Sequence, residues 1–230
     1  MLIAVIGMFF SENSMMGALI LLSFLVLSLA MTMLSSKVLS KTVLKGVGSS
    51  FVMEMPPFRR PQFVKTIWNS VKEKVLLVLF RAVCVAAPAG LVIWIFANIN
   101  IGESSILHYM AAFFEPFGKF IGLDGVLVLA FVLGFPANEI VIPVALMAYL
   151  SSSTLSDYSS LSELKDILIT NGWTVKTAVC TCVFSLFHFP CSTTLLTIYK
   201  ETKSLKWTLL SVVTPLIIGI AICAFINLAF

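Results

Sequence analysis

The stretch Gly134-Phe-Pro-Ala-Asn-Glu-Ile-Val-Ile-Pro143 interrupts a long apolar run and decides how the surrounding chain can fold. It places a carboxylate (Glu139), an amide (Asn138) and two prolines (Pro136 and Pro143) where lipid-compatible side chains are expected. Ionisable residues at membrane depth are costly, and they usually face a protein interior or a solute path. Irregular backbone at that depth is tolerated only inside protein or beside a water-filled cavity. Together the two signs predict a binding site.

The composition of the whole chain is that of a polytopic membrane protein. Of its 230 residues, 59% are hydrophobic and only 11% are charged, and the mean hydropathy is +1.04. Soluble domains contain about 25% charged residues. The net charge of +4 is therefore interpreted as a signal of membrane orientation. No basic patch interleaved with aromatic residues is present, so nucleic acid is not expected as a partner.

Four apolar stretches are long enough to cross a bilayer, which takes roughly 20 residues. They predict an all-α fold with full transmembrane helices at residues 15–34, 75–99, 174–199 and 207–228. We divide the chain into a first span with a basic cytoplasmic end (1–50), a cytoplasmic loop with an amphipathic helix (51–74) and a larger transmembrane module (75–230). Residues 100–123 are expected to form an outer loop with an interfacial helix. Residues 1–10 are too short to span, and we interpret them as the end of a helix that begins outside this sequence.

Residues 125–150 allow two topologies. The apolar halves on either side of the Pro-Ala-Asn-Glu sequence are each about 15 Å long as helices, which is half of the hydrocarbon thickness. They form either one broken span or a re-entrant hairpin that returns to the side on which it started. Residues 151–173 are expected to form a loop, which is acidic, and the segment 200–206 is basic. A hairpin places the acidic segment outside and the basic segment inside, so the positive-inside tendency favours the hairpin.

A second interruption, Phe-His-Phe-Pro-Cys-Ser-Thr-Thr (187–194), lies in the middle of the third predicted span. Pro190 lacks a backbone donor and clashes with the preceding turn, which predicts a kink or break. His188 and Cys191 are three residues apart and share a face if the helix continues, and Cys180 lies close to three turns earlier on that face. Hydroxyls follow where a helix would restart, at Ser192, Thr193 and Thr194.

The two interruptions together offer carboxylate, amide, imidazole, thiol and hydroxyl groups. A mixed set of S, N and O ligands suits a transition metal better than magnesium, which prefers oxygen. The candidate metal ligands are Glu139, Asn138, Cys191 and His188. Small residues and cysteine also serve simply to pack transmembrane helices, and His188 could bond only a neighbouring carbonyl. The five cysteines form no C-x-x-C pair, and no catalytic or nucleotide-binding motif is present, so we expect neither a disulfide framework nor an enzyme.

At these residues the chain resembles the C-terminal transmembrane region, with the second Gate module, of the bacterial ferrous iron transport protein B family. The similar stretches are residues 51–61, 133–150, 184–202 and 206–208, in the family's order. The resemblance implies import of Fe²⁺ across the inner membrane, with Cys191 and the Asn138–Glu139 pair on the path. Fe²⁺ is then the transported substrate, and no permanently bound cofactor is expected.

The family also has a GTPase domain and a first Gate module, and this sequence contains no G-x-x-x-x-G-K-[ST]. We therefore expect those portions on another chain, with the lipid bilayer as surroundings and a homo-oligomer as a further option. Two alternatives stay open. One is a Gate-type transporter subunit for a nucleoside or another divalent metal, and the other is a non-transporting fragment.

Overall fold

The computed structural model describes residues 2–9, 14–42, 67–68, 71–101, 104–150 and 161–229. The predicted loop and amphipathic helix over 51–74 lie mostly outside these residues, so that prediction remains a prediction. The helices are α1 (Leu2–Phe9), α2 (Ser14–Thr42), α3 (Leu76–Asn98), α4 (Ile106–Phe120), α5 (Gly125–Leu133), α6 (Val141–Tyr149), α7 (Leu161–Thr170), α8 (Val175–Phe187), α9 (Ser192–Thr202) and α10 (Leu205–Ala229).

The all-α membrane fold is confirmed. Within the described residues, four helical segments are long and apolar enough to cross a bilayer, and they correspond to the four predicted spans: Met15–Thr42, Val78–Asn98, Val175–Thr202 and Leu205–Ala229. A π-helical turn, Val71–Val75, precedes α3. The small departure from an all-helical chain is an antiparallel pair of two-residue strands, β1 (Asn100–Ile101) and β2 (Ser104–Ser105), in the predicted outer loop.

The buried core is formed mainly by the shorter helices α5, α6 and α8, while α2 and α3 expose most of their apolar side chains, as lipid-facing helices do. The short helix α1 belongs to this core, because Val5, Ile6 and Met8 are buried and the Phe9 ring stacks on Trp173 at 6.3 Å. The acidic segment 151–173 was expected to be a loop, and this was wrong for its second half. Helix α7 forms there because an amphipathic pattern buries Leu164 and Leu168 completely.

Helices α5 and α6 form a helical hairpin. Asp124, the N-cap of α5, accepts a hydrogen bond from the hydroxyl of Tyr149, the last residue of α6. The start of α5 and the end of α6 therefore lie side by side, which a single straight span would not allow. The same hydroxyl accepts a hydrogen bond of 2.9 Å from Trp173 Nε1, just before α8 begins. The mouth of the hairpin and the start of α8 thus lie on one side of the protein, as the charge pattern favoured.

Helix α4 forms where the interfacial helix was predicted, and the chain turns sharply from it into the hairpin. The chain changes direction by 108° between α4 and α5. Glycine makes this close packing possible, because a Cβ on Gly125 would lie 2.7 Å from Glu115 N and closer still to Ala111 O. The Glu115 carboxylate fixes the turn by accepting a 2.8 Å hydrogen bond from the Gly125 N–H.

A candidate metal-binding site at two helix breaks

The first break, residues 134–140, is the tip of the hairpin. Helix α5 ends at Leu133, and a turn leads to one turn of 3₁₀-helix, Asn138–Ile140, before α6 begins. Pro136 cannot donate a backbone hydrogen bond, which favours ending α5 before it. The tip therefore presents irregular backbone and the side chains of Asn138 and Glu139 together.

The second break, residues 188–191, divides the third span into α8 and α9. His188 caps the C-terminal end of α8 with extended backbone, and Cys191 caps the N-terminal end of α9. Pro190 lies between them and removes the donor that would have paired with the Leu186 carbonyl. The predicted break is thus confirmed, and it exposes the C-terminal end of one helix and the N-terminal end of the next.

The two breaks contact each other through their backbones. The Ser192 N–H donates a 3.1 Å hydrogen bond to the Phe135 carbonyl, and Ser192 Oγ lies 3.5 Å from the Pro136 carbonyl. The rings of Phe135 and Phe189 lie beside this contact, 5.5 Å apart. The hairpin tip is therefore docked on the start of α9, so the two sequence motifs form one region of the structure.

His188 presents one free ring nitrogen within this region. Its Nδ1 lies 2.8 Å from the Ser185 carbonyl, so Nδ1 carries the proton and Nε2 keeps a lone pair. Nε2 is buried and has no hydrogen-bond partner in the described part of the chain. Three phenylalanine rings surround the imidazole, with centroid distances of 5.3 Å to Phe131, 6.4 Å to Phe184 and 5.4 Å to Phe189. An imidazole oriented by one carbonyl with its second nitrogen free is the arrangement that metal-binding histidines use.

Cys191 and Asn138 add a sulfur and an oxygen. The Cys191 Sγ lies 3.1 Å from the hydroxyls of both Thr193 and Thr194, and it is half-buried at the N-terminal end of α9. Helix N-termini favour negative charge, so this position suits a thiolate. Asn138 Oδ1 is buried and, like His188 Nε2, makes no hydrogen bond within the described residues. The second break thus carries a thiol and an imidazole, and the tip docked on it carries an amide oxygen.

Glu139 and Cys180 are placed differently. Glu139 lies at the tip of the hairpin, but it is exposed on the surface of the chain. Among the described residues, no three His, Cys, Asp or Glu side chains are close enough together to hold a metal. Cys180 lies on α8 and is fully buried. Its carbonyl accepts a 3.5 Å hydrogen bond from the thiol of Cys223 on α10. The suggestion that Cys180 shares the face of Cys191 does not hold, because the α8–α9 helix is interrupted between them.

Two family models match this chain. The Gate model, described as nucleoside recognition, matches residues 79–205, and the model of the ferrous iron transport protein B C terminus matches residues 21–74. The chain belongs to the ferrous iron transport protein B family. The hairpin and the broken α8–α9 span both lie within the Gate match, whereas α2 lies mostly within the C-terminus match.

Curated relatives agree with this assignment. The chain is 34% identical over 223 residues to a protein named Fe(2+) transporter FeoB from Staphylococcus aureus (strain MSSA476), covering 92% of this chain and 31% of the relative. It is 29% identical over 174 residues to the protein of that name from Synechocystis sp. (strain ATCC 27184 / PCC 6803 / Kazusa), covering 73% and 26%. The chain thus spans less than a third of the length of these FeoB relatives. No solved structure matches it.

Proposed function

We propose that the chain is the C-terminal permease portion of a ferrous iron transporter and that it helps to import Fe²⁺ across the bacterial inner membrane. The single observation that carries this proposal is the docking of the two breaks at Ser192 and Phe135, which brings a thiol, an imidazole and an amide oxygen into one region of a multi-pass membrane protein. Secondary transporters build midplane sites from pairs of discontinuous helices in this way. The names of the FeoB relatives support Fe²⁺ as the solute.

Each side chain has a separate role in the proposed site. Cys191 supplies a soft thiolate, His188 Nε2 supplies an oriented nitrogen, and Asn138 Oδ1 supplies an oxygen. Nitrogen and sulfur ligands distinguish a transition metal from Mg²⁺ or Ca²⁺, which take oxygen ligands. Glu139, exposed beside these groups, would attract the cation and pass it on. Its carboxylate would then need a second protein surface to shield it from lipid, because isolated charges are costly at membrane depth.

The remainder of the transporter is the proposed source of that surface. The chain covers 31% of the FeoB relative from Staphylococcus aureus, so a complete transporter of that length has further portions. We propose that the GTPase domain and the first Gate module, carried on another chain, complete the path. A homo-oligomer of this chain would also cover Glu139. The two arrangements can be distinguished, because only the homo-oligomer would form when this chain is alone in a bilayer.

Anaerobic Fe²⁺ binding to the purified chain in lipid nanodiscs tests the site. We expect Cys191→Ser and His188→Ala each to weaken Fe²⁺ binding about tenfold or more, which corresponds to about 1.4 kcal/mol per factor of ten. The matched control is Cys84→Ser, since Cys84 is an exposed thiol on α3. Equal Fe²⁺ affinity in the Cys191 and Cys84 variants would refute the metal site.

A nucleoside is the second candidate solute, because the Gate model is described as nucleoside recognition. A nucleoside would be held by hydrogen bonds and ring stacking, and its binding would not need a thiolate. Uridine and adenosine are therefore added as competitors in the Fe²⁺ binding measurement. Displacement of Fe²⁺ by a nucleoside would favour the nucleoside as solute and reject iron. The same conclusion would follow if the wild-type chain bound no Fe²⁺ and the Cys191→Ser variant still bound a nucleoside.

A further inference from the structure

A cavity lies between α2, α8 and α10, and it reaches the end of α8 just before the His188–Cys191 break. Its volume is about 200 Å³, it is partly open, and its walls come from three spans. One of its lining residues, Ser28, is the middle residue of the 29-residue helix α2. Most of its polar wall is made of hydroxyl groups, contributed by Ser28, Thr32, Ser35 and Thr214.

These hydroxyls keep acceptor lone pairs, because each donates its own proton to a helix carbonyl. Ser28 donates to the Leu25 carbonyl at 2.9 Å, and Thr32 donates to the Ser28 carbonyl at 2.7 Å. Thr214 donates to the Leu210 carbonyl at 2.8 Å, and Ser35 follows the same pattern with the Thr32 carbonyl. A hydroxyl that has donated its proton can act only as an acceptor. The cavity therefore suits a cation and offers nothing to bind an anion.

The C-terminal end of α8 adds further negative potential. Leu186 and Phe187, its last residues, line the cavity. The Leu186 carbonyl has lost its helical donor because residue 190 is proline. A helix C-terminus carries a partial negative charge, which stabilises a nearby cation. In secondary transporters, broken helices use such ends to coordinate Na⁺.

The uncharged lining of the cavity favours a monovalent ion, and its volume allows such an ion to enter. None of its lining residues carries a charge, and Ca²⁺ and Mg²⁺ sites in proteins normally include carboxylates. Met31 contributes a thioether sulfur, but the lining has neither the thiol nor the imidazole of the proposed Fe²⁺ site. Its volume exceeds that of several waters at about 30 Å³ each, so an ion can enter with part of its hydration shell.

We propose that this cavity is a binding site for a monovalent alkali cation, with Na⁺ as the ion to be tested first. The hydroxyls of Ser28, Thr32 and Thr214 and the carbonyl end of α8 would form its oxygen shell. The cavity and the proposed metal site share α8, which ends at Phe187 between them. An ion in the cavity would therefore bind the helix whose end defines the second break, and it could couple the Na⁺ gradient to the movement of that break.

Equilibrium binding of ²²Na⁺ to the purified chain in lipid nanodiscs, in choline buffer without iron, tests this proposal. We expect saturable binding of one Na⁺ per chain, reduced about tenfold or more in Thr214→Val, which removes the hydroxyl at nearly constant volume. Thr214→Ser should retain the binding, because it keeps the oxygen. The matched control is Ser23→Ala, since the Ser23 hydroxyl bonds the Ile20 carbonyl in the same manner but lies outside the cavity lining.

Several results would overturn the proposal. One is the absence of saturable ²²Na⁺ binding in the wild-type chain, which would leave water as the occupant of the cavity. Another is equal binding in Thr214→Val and Ser23→Ala. If Thr214→Val fails to fold, Ser28→Ala replaces it and is judged against the same control. The Cys191→Ser variant should bind Na⁺ like the wild type, so failure of the iron site and failure of the Na⁺ site give different results.

Discussion

The hydroxyl of Tyr149 closes the mouth of the hairpin, and its removal tests the whole hairpin topology. Tyr149→Phe deletes one oxygen and leaves the ring in place. That oxygen donates to the Asp124 carboxylate and accepts from Trp173 Nε1. Asp124 keeps its 2.9 Å hydrogen bond from the Leu127 N–H, so the N-cap of α5 survives the change. The variant therefore removes only the two hydrogen bonds by which Tyr149 of α6 is joined to the start of α5 and to the start of α8.

The size of the effect follows from these two hydrogen bonds. A neutral hydrogen bond contributes about 1 kcal/mol to stability, and one to a charged group contributes about 1.5–3 kcal/mol. Trp173 is only 4% exposed, so its indole N–H would be left without its partner in a buried position. We expect Tyr149→Phe to lower the free energy of unfolding by about 2–4 kcal/mol, with the lower value applying if water enters the vacated position.

The assay is equilibrium unfolding of the purified chain by sodium dodecyl sulfate in mixed micelles, followed by far-UV circular dichroism. Tyr109→Phe is the matched control, because Tyr109 is 52% exposed and its hydroxyl has no hydrogen bond within the described residues. A double-mutant cycle with Trp173→Phe should give a coupling energy of about 1 kcal/mol, since the two residues share one hydrogen bond. Equal stability of Tyr149→Phe and Tyr109→Phe, with no coupling to Trp173, would refute the closed hairpin mouth.

Two further predictions concern packing and orientation. Gly125→Ala should destabilise the chain by about 1–3 kcal/mol in the same unfolding assay, because the added Cβ would force α4 and α5 apart. The control is Gly90→Ala, which should be neutral or slightly stabilising because no atom lies within 4 Å of its added Cβ. Asp166→Cys and Lys203→Cys, both at exposed positions, should react with a membrane-impermeant maleimide from opposite sides of the membrane, Asp166→Cys from the outside. Labelling of Lys203→Cys from the outside, with Asp166→Cys protected there, would contradict the hairpin topology.

Local sequence patterns predicted the parts of this fold that depend on local physics. Long apolar runs predicted the four spans, because a helix must satisfy its own backbone within lipid. Pro190 predicted the second break because proline lacks the donor that a continuous helix needs. The half-span lengths around residues 134–143 allowed the hairpin and the broken span equally, and only the weak charge asymmetry favoured the hairpin.

Contacts between distant residues were not predictable in the same way. The hydrogen bonds from Tyr149 to Asp124 and from Trp173 to Tyr149 join residues 25 and 24 positions apart, and nothing in the pattern links them. Helix α7 was missed because the segment around it is polar, as loops are, and its burial depends on packing against the distant helix α1. The exposure of Glu139 was missed for a related reason, since sequence alone does not show which side of a turn faces the interior.

The two breaks stabilise each other, and this explains why they occur as a pair. In a continuous helix the Phe135 carbonyl would pair with the N–H of residue 139, and the Ser192 N–H would pair with the carbonyl of residue 188. Each has lost that partner at its own break, and the two bond each other across 3.1 Å instead. Beside this backbone contact, two buried side-chain atoms, Asn138 Oδ1 and His188 Nε2, have no hydrogen-bond partner among the described residues. Buried acceptors without donors favour a cation. The backbone groups of the two breaks are thus paired with each other, while the unpaired side-chain acceptors beside them would suit a metal ion.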